Sequence, residues 1–276
     1  EDIQAQILDE TKRISNALKI IGMINIQFIE FRGELNIIEV NPRSSRTVPY
    51  ITKVTGVPVI DIATNVMLGS KLADMGYSTG IAPTPDVVAV KVPVFSTEKL
   101  PQVEVSLGPE MRSTGEVLGV GYNLENALYK GFIASGMTVP KAGSTILATV
   151  RSQDHETFVP IAKRCADLGC NFIATKGTAK VLQENGIDCK VVKKISEGVP
   201  NIIDTIRSGV IDLIVDIPKK ANDVKSDGFK IRRTAIESDL TLITALDTFK
   251  AMVDVMEKKI NQDELAIFDI NRDMRK

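Results

Sequence analysis

The second half of the chain alternates short apolar stretches with amphipathic stretches, and this alternation constrains the fold more than any other feature. Five candidate strands are separated by candidate helices. The predicted strands cover 145–150, 171–174, 190–192, 211–215 and 240–243, and the predicted helices cover 155–168, 178–185, 201–208, 231–237 and 247–259. Strands that alternate with helices at this spacing form a parallel sheet covered on both faces. The pattern therefore predicts a doubly wound α/β domain.

The first half has a different pattern. Isoleucine and leucine recur at helical spacing through residues 3–21, and two short strands follow at 24–30 and 34–40. The connection between the strands contains Gly33, which can take the positive φ that hairpin turns require. Since the helical pattern already runs at Glu1, where no capping residue precedes it, we expect the chain to be part of a longer protein.

Beyond the hairpin, the pattern predicts a helix near 58–68 and a strand at 87–95, while 107–121 resists a regular assignment. A stretch that contains glycine and proline, 135–143, is typical of a linker. We therefore predict a first domain at 1–140 and a second at 141–276.

The bulk composition narrows the classes of function. The 34 basic and 35 acidic residues give a net charge of −1, which argues against nucleic acid as a partner, and no apolar run approaches the roughly 18 residues that span a bilayer. Cys165, Cys170 and Cys189 have no C-x-x-C spacing, so reduced thiols in a cytoplasmic protein are expected. His155 is the only histidine, which excludes a histidine-rich zinc site. Chemistry is expected from carboxylates, amides, guanidinium groups and the backbone.

Three oxygen-bearing side chains are predicted to converge on the hairpin. A three-residue loop at 32–34 places Gln27 opposite Glu39, and the two-residue period of a strand puts Asn41 on the same face. One carboxylate and two amide oxygens suit a magnesium ion that also holds phosphates. The alternative from the pattern alone is that the amides cap strand ends and that Glu39 is a surface charge.

Two arginines follow these residues directly. Pro42 turns the chain out of the sheet, and Arg43 and Arg46 come after it. Guanidinium groups in this position can clamp a transferring phosphoryl group or an anionic substrate.

The hairpin residues carry a family resemblance. Gln27 followed by the string EVNPR at 39–43 resembles the second half of the ATP-grasp signature. The longer string EVNPRSSRTVPY at 39–50 resembles the large, synthetase subunit of carbamoyl-phosphate synthase, and KVTGVP at 53–58 and LGPEMRSTGEV at 107–117 strengthen the match. The last string resembles the C-terminal, carbamate-phosphorylating half of that subunit.

This resemblance implies a ligase that makes carbamoyl phosphate from bicarbonate, glutamine-derived ammonia and two ATP, for pyrimidine or arginine biosynthesis. The implied cofactors are ATP and Mg²⁺ or Mn²⁺. It implies that Gln27 and Glu39 bind the metal ions with help from Asn41, and that Arg43 and Arg46 contact the phosphates or the carbamate. The implied partners are the rest of the synthetase subunit and a glutaminase small subunit. Residues 1–26 show no glycine-rich phosphate loop and no strand bearing an ATP-binding lysine, so we expect an incomplete ATP site.

A second candidate site lies in the predicted parallel sheet. The string TKGT at 175–178 joins a strand to a helix, with a glycine and two hydroxyls beside the free N–H groups of the helix N-terminus. This arrangement suits a phosphate equally as well as an ordinary turn with a threonine N-cap. The unit resembles the methylglyoxal-synthase-like domain that ends the same large subunit and binds small-molecule allosteric effectors. The implied effector contacts are Thr149, Thr175, Lys176, Thr178 and Lys194.

Three residues depart from the family pattern. Asp216 stands where nucleotide-binding relatives have asparagine, His155 where they have lysine, and Val92 where ornithine-responsive relatives have glutamate. A carboxylate that faces a phosphate repels it, so Asp216 is expected in the effector site and predicts weak binding of a uridine nucleotide. The alternative is that Asp216 caps the turn that follows it. Arg232 and Arg233 match the family, with surface salt bridges as their alternative role.

The sequence also bears on two other functions. A stand-alone methylglyoxal synthase is excluded because His155 lies outside the histidine-bearing motif of that enzyme. A non-catalytic, ligand-sensing module stays open as a description of the chain by itself.

Overall fold

The computed structural model describes residues 3–96, 111–218, 226–260 and 265–269. The chain divides into two compact units, one formed by 1–86 with 267–276 and the other by 87–266. In the part of the chain that the structure describes, no helix is both long enough and apolar enough to cross a membrane.

The first unit consists of helices around a single hairpin. Its elements are α1 (Ile3–Ala17), β1 (Asn25–Phe31), β2 (Glu34–Asn41), α2 (Thr47–Thr55), α3 (Val59–Met67) and a 3-10 turn (Leu72–Met75). The predicted helix, hairpin strands and second helix are all present, and α2 was not predicted. Among residues 3–86, only Ala63 is fully buried, while Ile29 and Ile38 are 50% and 60% exposed. The hairpin therefore presents exposed apolar side chains.

The second unit opens with an antiparallel ribbon. Its strands are β3 (Val88–Val94) and β4 (Gly115–Gly121), and α4 (Leu124–Ala134) packs across both. The predicted strand at 87–95 is confirmed. The sequence at 107–121 gave no regular assignment, yet its last seven residues form β4, and 107–110 lie outside the described residues.

Glycine explains why β4 was missed. The segment reads GEVLGVG, which resembles a loop because glycine weakens strands. A Cβ atom added at Gly119 would lie 2.0 Å from the carbonyl oxygen of Ala127 in α4. The backbones of β4 and α4 approach so closely that only glycine fits there.

The rest of the second unit is the predicted parallel sheet. Its strands are β5 (Thr145–Val150), β6 (Asn171–Thr175), β7 (Cys189–Val192), β8 (Leu213–Ile217) and β9 (Thr241–Ile243), and its helices are α5 (His155–Asp167), α6 (Lys176–Glu184), α7 (Ile202–Arg207), α8 (Asp227–Glu237) and α9 (Leu246–Glu257). All neighbours pair in parallel in the order β7-β6-β5-β8-β9. Successive residues of β5 point into different cores: Ile146 packs with α5, α6 and α9, and Leu147 with α7 and α8. Helices therefore cover both faces, which confirms the predicted fold class.

Along the sequence, the boundary between the two compact units lies at residues 86 and 87, well before the predicted domain boundary between 140 and 141. The physical reason is α4, which packs on the β3–β4 ribbon and also on α9 of the parallel-sheet unit. The division into an ATP-grasp portion with its connecting region at 1–140 and a methylglyoxal-synthase-like domain at 141–276 stays a prediction.

An ion-pair network joins α5 to α9 in the second unit. The guanidinium of Arg164 donates from Nε and Nη2 to the two carboxylate oxygens of Glu257, both at 2.7 Å, and from Nη2 to Asp254 Oδ1 at 2.6 Å. The bidentate bond with Arg164 lowers the pKa of Glu257. This network connects α9 to α5.

Replacing Arg164 with methionine removes its ion pairs with Glu257 and Asp254 and should lower the free energy of unfolding of this unit by about 1 kcal/mol at pH 7. The expected loss is small because solvent screens a half-exposed pair. The folded-state pKa of Glu257 is lowered, so the contribution is complete above the ordinary glutamate pKa of about 4.3 and is lost as the pH falls through the lowered value. Urea unfolding at neutral and acidic pH measures the difference. Arg207→Met, at an exposed arginine on α7, is the matched control. An equal cost of Arg164→Met at both pH values would contradict the assignment.

Candidate functional site

The hairpin brings Gln27 opposite Glu39, as predicted, but by a different route. The loop contains two residues rather than three, Arg32 and Gly33, with φ of 56° and 83°. A β-bulge on β2 adds one unpaired residue, Ile38, and this restores the offset that the shorter loop removes. The predicted pairing is therefore correct although the predicted loop is wrong.

Side chains on this hairpin form one hydrogen-bonded cluster. Gln27 Nε2 donates to Glu39 Oε1 at 2.7 Å, and Asn41 Nδ2 donates to the same oxygen at 2.8 Å. Arg43 Nη2 donates to Asn41 Oδ1 at 3.2 Å. The predicted convergence of Gln27, Glu39 and Asn41 is observed, and Arg43 extends the cluster.

The two predicted arginines differ in their relation to the cluster, because only Arg43 has a described contact with it. Arg43 also donates from Nη1 to the carbonyl oxygen of Ser44 at 2.9 Å, and Arg46 lies directly before α2. Both side chains are exposed. Arg43 therefore lies beside Asn41 with its guanidinium group exposed.

The donor set of the cluster fits a hard cation that is shared with phosphates. Glu39 supplies the carboxylate, and rotation of the amides of Gln27 and Asn41 about their terminal torsions turns oxygen rather than nitrogen toward a cation. Within the described ranges, no three histidine, cysteine, aspartate or glutamate side chains come together as a metal site. A Mg²⁺ or Mn²⁺ ion held by Glu39 would need further ligands from phosphates and water.

The second site is a crevice of about 620 Å³ in the parallel-sheet unit. It lies at the carboxyl ends of β5 and β8, where the strand order reverses and doubly wound folds place their ligands. Five of the predicted effector residues line it: Thr149, Thr175, Thr178, Lys194 and Asp216. Lys176, the first residue of α6, is exposed and lies outside the crevice lining, so its role stays a prediction without support from this geometry.

The two threonines of the TKGT string differ in what they do. Thr175 occupies the N-cap position of α6, yet its side chain makes no capping hydrogen bond. Thr178 is 3% exposed, and its hydroxyl accepts from Val150 N at 3.2 Å and donates to Val150 O at 3.3 Å. Thr178 therefore ties α6 to the end of β5, while the first turn of α6 faces the crevice.

Asp216 lines the crevice, and its carboxylate is paired with an arginine there. Asp216 is 3% exposed and Arg232 is 1% exposed, and Arg232 Nη1 lies 2.6 Å from Asp216 Oδ2. The hydroxyl of Thr149 donates to the other carboxylate oxygen. The surface role considered for Arg232 is wrong, whereas Arg233 does pair with Glu237 four residues along α8.

Arg151 is a crevice residue that sequence reasoning missed. It pairs with Asp154, and its Nη1 donates to Pro218 O at 3.2 Å, which connects the segments after β5 and β8. His155 also lines the crevice, and its Nε2 lies 3.0 Å from Val150 O. The position of Arg151 directly after a predicted strand was the signal that could have found it.

Two family models match this chain, one in each unit. The model of the carbamoyl-phosphate synthase L chain ATP binding domain matches residues 1–75, and the model of the MGS-like domain matches residues 157–244. These matches agree with the ATP-grasp portion and the methylglyoxal-synthase-like domain that the sequence resembled.

Similar proteins match almost the whole chain. A carbamoyl phosphate synthase large chain from Clostridium botulinum (strain Kyoto / Type A2) is 58% identical over 271 residues, and those from Clostridium perfringens (strain 13 / Type A) and Clostridium beijerinckii are 57% and 55% identical over 270 and 271 residues. In each case the match covers 98% of this chain and 25% of the relative. The chain therefore belongs to the family of carbamoyl phosphate synthase large chains, and it spans about a quarter of the length of the relatives that it matches.

Proposed function

We propose that the chain contributes two parts of a carbamoyl phosphate synthase: one wall of the site for the second phosphorylation, that of carbamate, and a domain that binds an allosteric effector. The complete enzyme makes carbamoyl phosphate from bicarbonate, glutamine-derived ammonia and two ATP. The observation that carries the proposal is the connected cluster of Gln27, Glu39, Asn41 and Arg43. It offers oxygen ligands and a guanidinium group side by side, as phosphoryl transfer requires.

Each residue of the cluster has a defined task in this proposal. Glu39 and Gln27 hold Mg²⁺ or Mn²⁺, and Asn41 supplies a further oxygen. When bound, the metal neutralises charge on the ATP phosphates. Arg43 and Arg46 bind the oxygens of the transferring phosphoryl group or of the carbamate, and they stabilise charge that spreads over those oxygens. Positioning and charge neutralisation account for the contribution of this wall.

The exposed apolar surface of the first unit supports the proposal that another part of the subunit packs against it. Ile29, Phe31 and Ile38 on the hairpin are 50%, 59% and 60% exposed. The relatives extend over about four times the matched length, since the match covers 25% of each. We propose that the rest of the synthetase subunit covers this surface and supplies the remaining ATP contacts. A glutaminase small subunit, a cytoplasmic location and a role in pyrimidine or arginine biosynthesis belong to the same proposal.

A second candidate function applies to the chain by itself, as a ligand-sensing module. The parallel-sheet unit has its own apolar cores on both faces of the sheet and its own crevice. It can therefore bind an effector without a complete catalytic site. Both functions predict an inactive isolated chain, so they are separated by Glu39→Gln in the full subunit, where only the catalytic role predicts a lower rate.

The catalytic role of the cluster predicts the effect of Glu39→Gln in the full subunit. The change keeps the shape of the side chain and removes its negative charge, so the carbamate phosphorylation step should fall by two orders of magnitude or more while the fold persists. Synthesis of ATP from carbamoyl phosphate and ADP measures this partial reaction. Glu34→Gln, an exposed change of equal charge at the start of β2, is the matched control. A normal rate of ATP synthesis in Glu39→Gln would refute the role.

The proposed incompleteness predicts that the 276-residue chain does not hydrolyse ATP. Bicarbonate-dependent release of ADP should be at background level for the purified chain and measurable for the full subunit under the same conditions. Hydrolysis by the chain that disappears in Glu39→Gln would show that the site is complete within these residues.

A further inference from the structure

The floor of the crevice is a buried ion pair built from three elements. Asp216 on β8 is directly opposite Thr149 on β5, and the Thr149 hydroxyl donates to Asp216 Oδ1. Arg232 on α8 reaches the other oxygen, with Nη1 to Oδ2 at 2.6 Å. The side chains of Asp216 and Arg232 are 5% and 1% exposed, so water screens this pair far less than a surface pair.

The first turn of α8 is shaped around this pair. A Cβ atom added at Gly228 would lie 2.9 Å from Arg232 Nη1 and 3.7 Å from Asp216 Oδ2. Glycine leaves the space that the guanidinium group occupies. The pair is therefore part of the packing between α8 and the sheet.

Charge is distributed unequally along the crevice. At one end the first turn of α6 and Lys194 attract anions, while Arg151 at the mouth is balanced by Asp154. Asp227 adds a negative charge where α8 begins. At the floor, the charge of Arg232 is balanced by Asp216, so the floor carries no net charge from this pair.

We propose that Asp216 determines the ligand specificity of the crevice by neutralising Arg232. An arginine keeps its positive charge at any pH that a folded protein tolerates. Asp216 thus withholds a cation that would bind a phosphate at the floor, and it confines the anionic group of a ligand to the end formed by α6 and Lys194. The floor accepts an uncharged part of the ligand instead. This proposal rests on the effector role of the unit and specifies which ligands the site selects.

The proposal predicts that Asp216→Asn creates an anion site. Asparagine still offers an oxygen to Arg232 and Thr149, so the geometry persists while the floor gains one positive charge. Inorganic phosphate should bind about tenfold more tightly to Asp216→Asn than to the wild type, which corresponds to about 1.4 kcal/mol. Calorimetric titration with phosphate, together with the rise in melting temperature that phosphate produces, measures the change.

Two further variants isolate the cause. Asp212→Asn makes the same charge change at the opposite end of β8, where Asp212 Oδ2 accepts from Thr145 N at 2.7 Å, and it should leave phosphate binding unchanged. The double variant Asp216→Asn/Arg232→Met removes both charges from the floor and should return phosphate affinity to the wild-type value. Neutral replacement of both partners is tolerated in other buried ion pairs, and circular dichroism verifies the fold.

Each outcome decides the matter. If the gain in phosphate affinity persists in the double variant, Asp216 acts by direct repulsion without Arg232, and the proposal is wrong. If Asp216→Asn gives no gain in phosphate affinity, the proposal is also wrong. Loss of the effector role is a separate result. In that case phosphate binds to the wild type and to the variants as predicted, but occupation of the crevice does not change the rate of the full subunit.

Discussion

The central position of β5 is the constraint on which the parallel-sheet unit depends. β5 pairs with β6 on one side and with β8 on the other. The chain therefore runs from β5 to β6 and β7 in one direction, and then returns past β5 to β8 and β9 in the other. The loops at the carboxyl ends of β5 and β8 consequently leave in different directions, and a crevice remains between them. Thr149 and Asp216 lie in this crevice because they are paired residues at those two ends. Site and sheet therefore have one geometric origin.

Much of this unit could be predicted from the alternation of strands and helices. The position of β8 was less accurate: the prediction ended at 215, whereas the strand continues through Ile217. The prediction placed Asp216 just beyond the strand, whereas Asp216 is a buried residue within it. A partner from another element, Arg232, removes the cost of burying this charge, and no local pattern reports a contact between residues 16 positions apart.

The hairpin gives a different lesson. Its pairing was predicted correctly because two errors cancelled: a two-residue turn shortens the loop, and the bulge at Ile38 adds the missing residue. The predicted convergence of Gln27, Glu39 and Asn41 followed from that pairing. Arg43 was expected to face a ligand, and its bond to Asn41 was not foreseen. Family resemblance, rather than periodicity, favoured a phosphate site over a simple surface charge.

The contact between Gly119 and α4 has a mechanical consequence. Most interfaces between a helix and a strand are formed by interdigitated side chains. Here the backbones meet directly, since the carbonyl oxygen of Ala127 occupies the place of a side chain. No side chain therefore separates the β3–β4 ribbon from α4 at this point. Because α4 also packs on α9, we expect a shift of α9 to move the ribbon and α4 together.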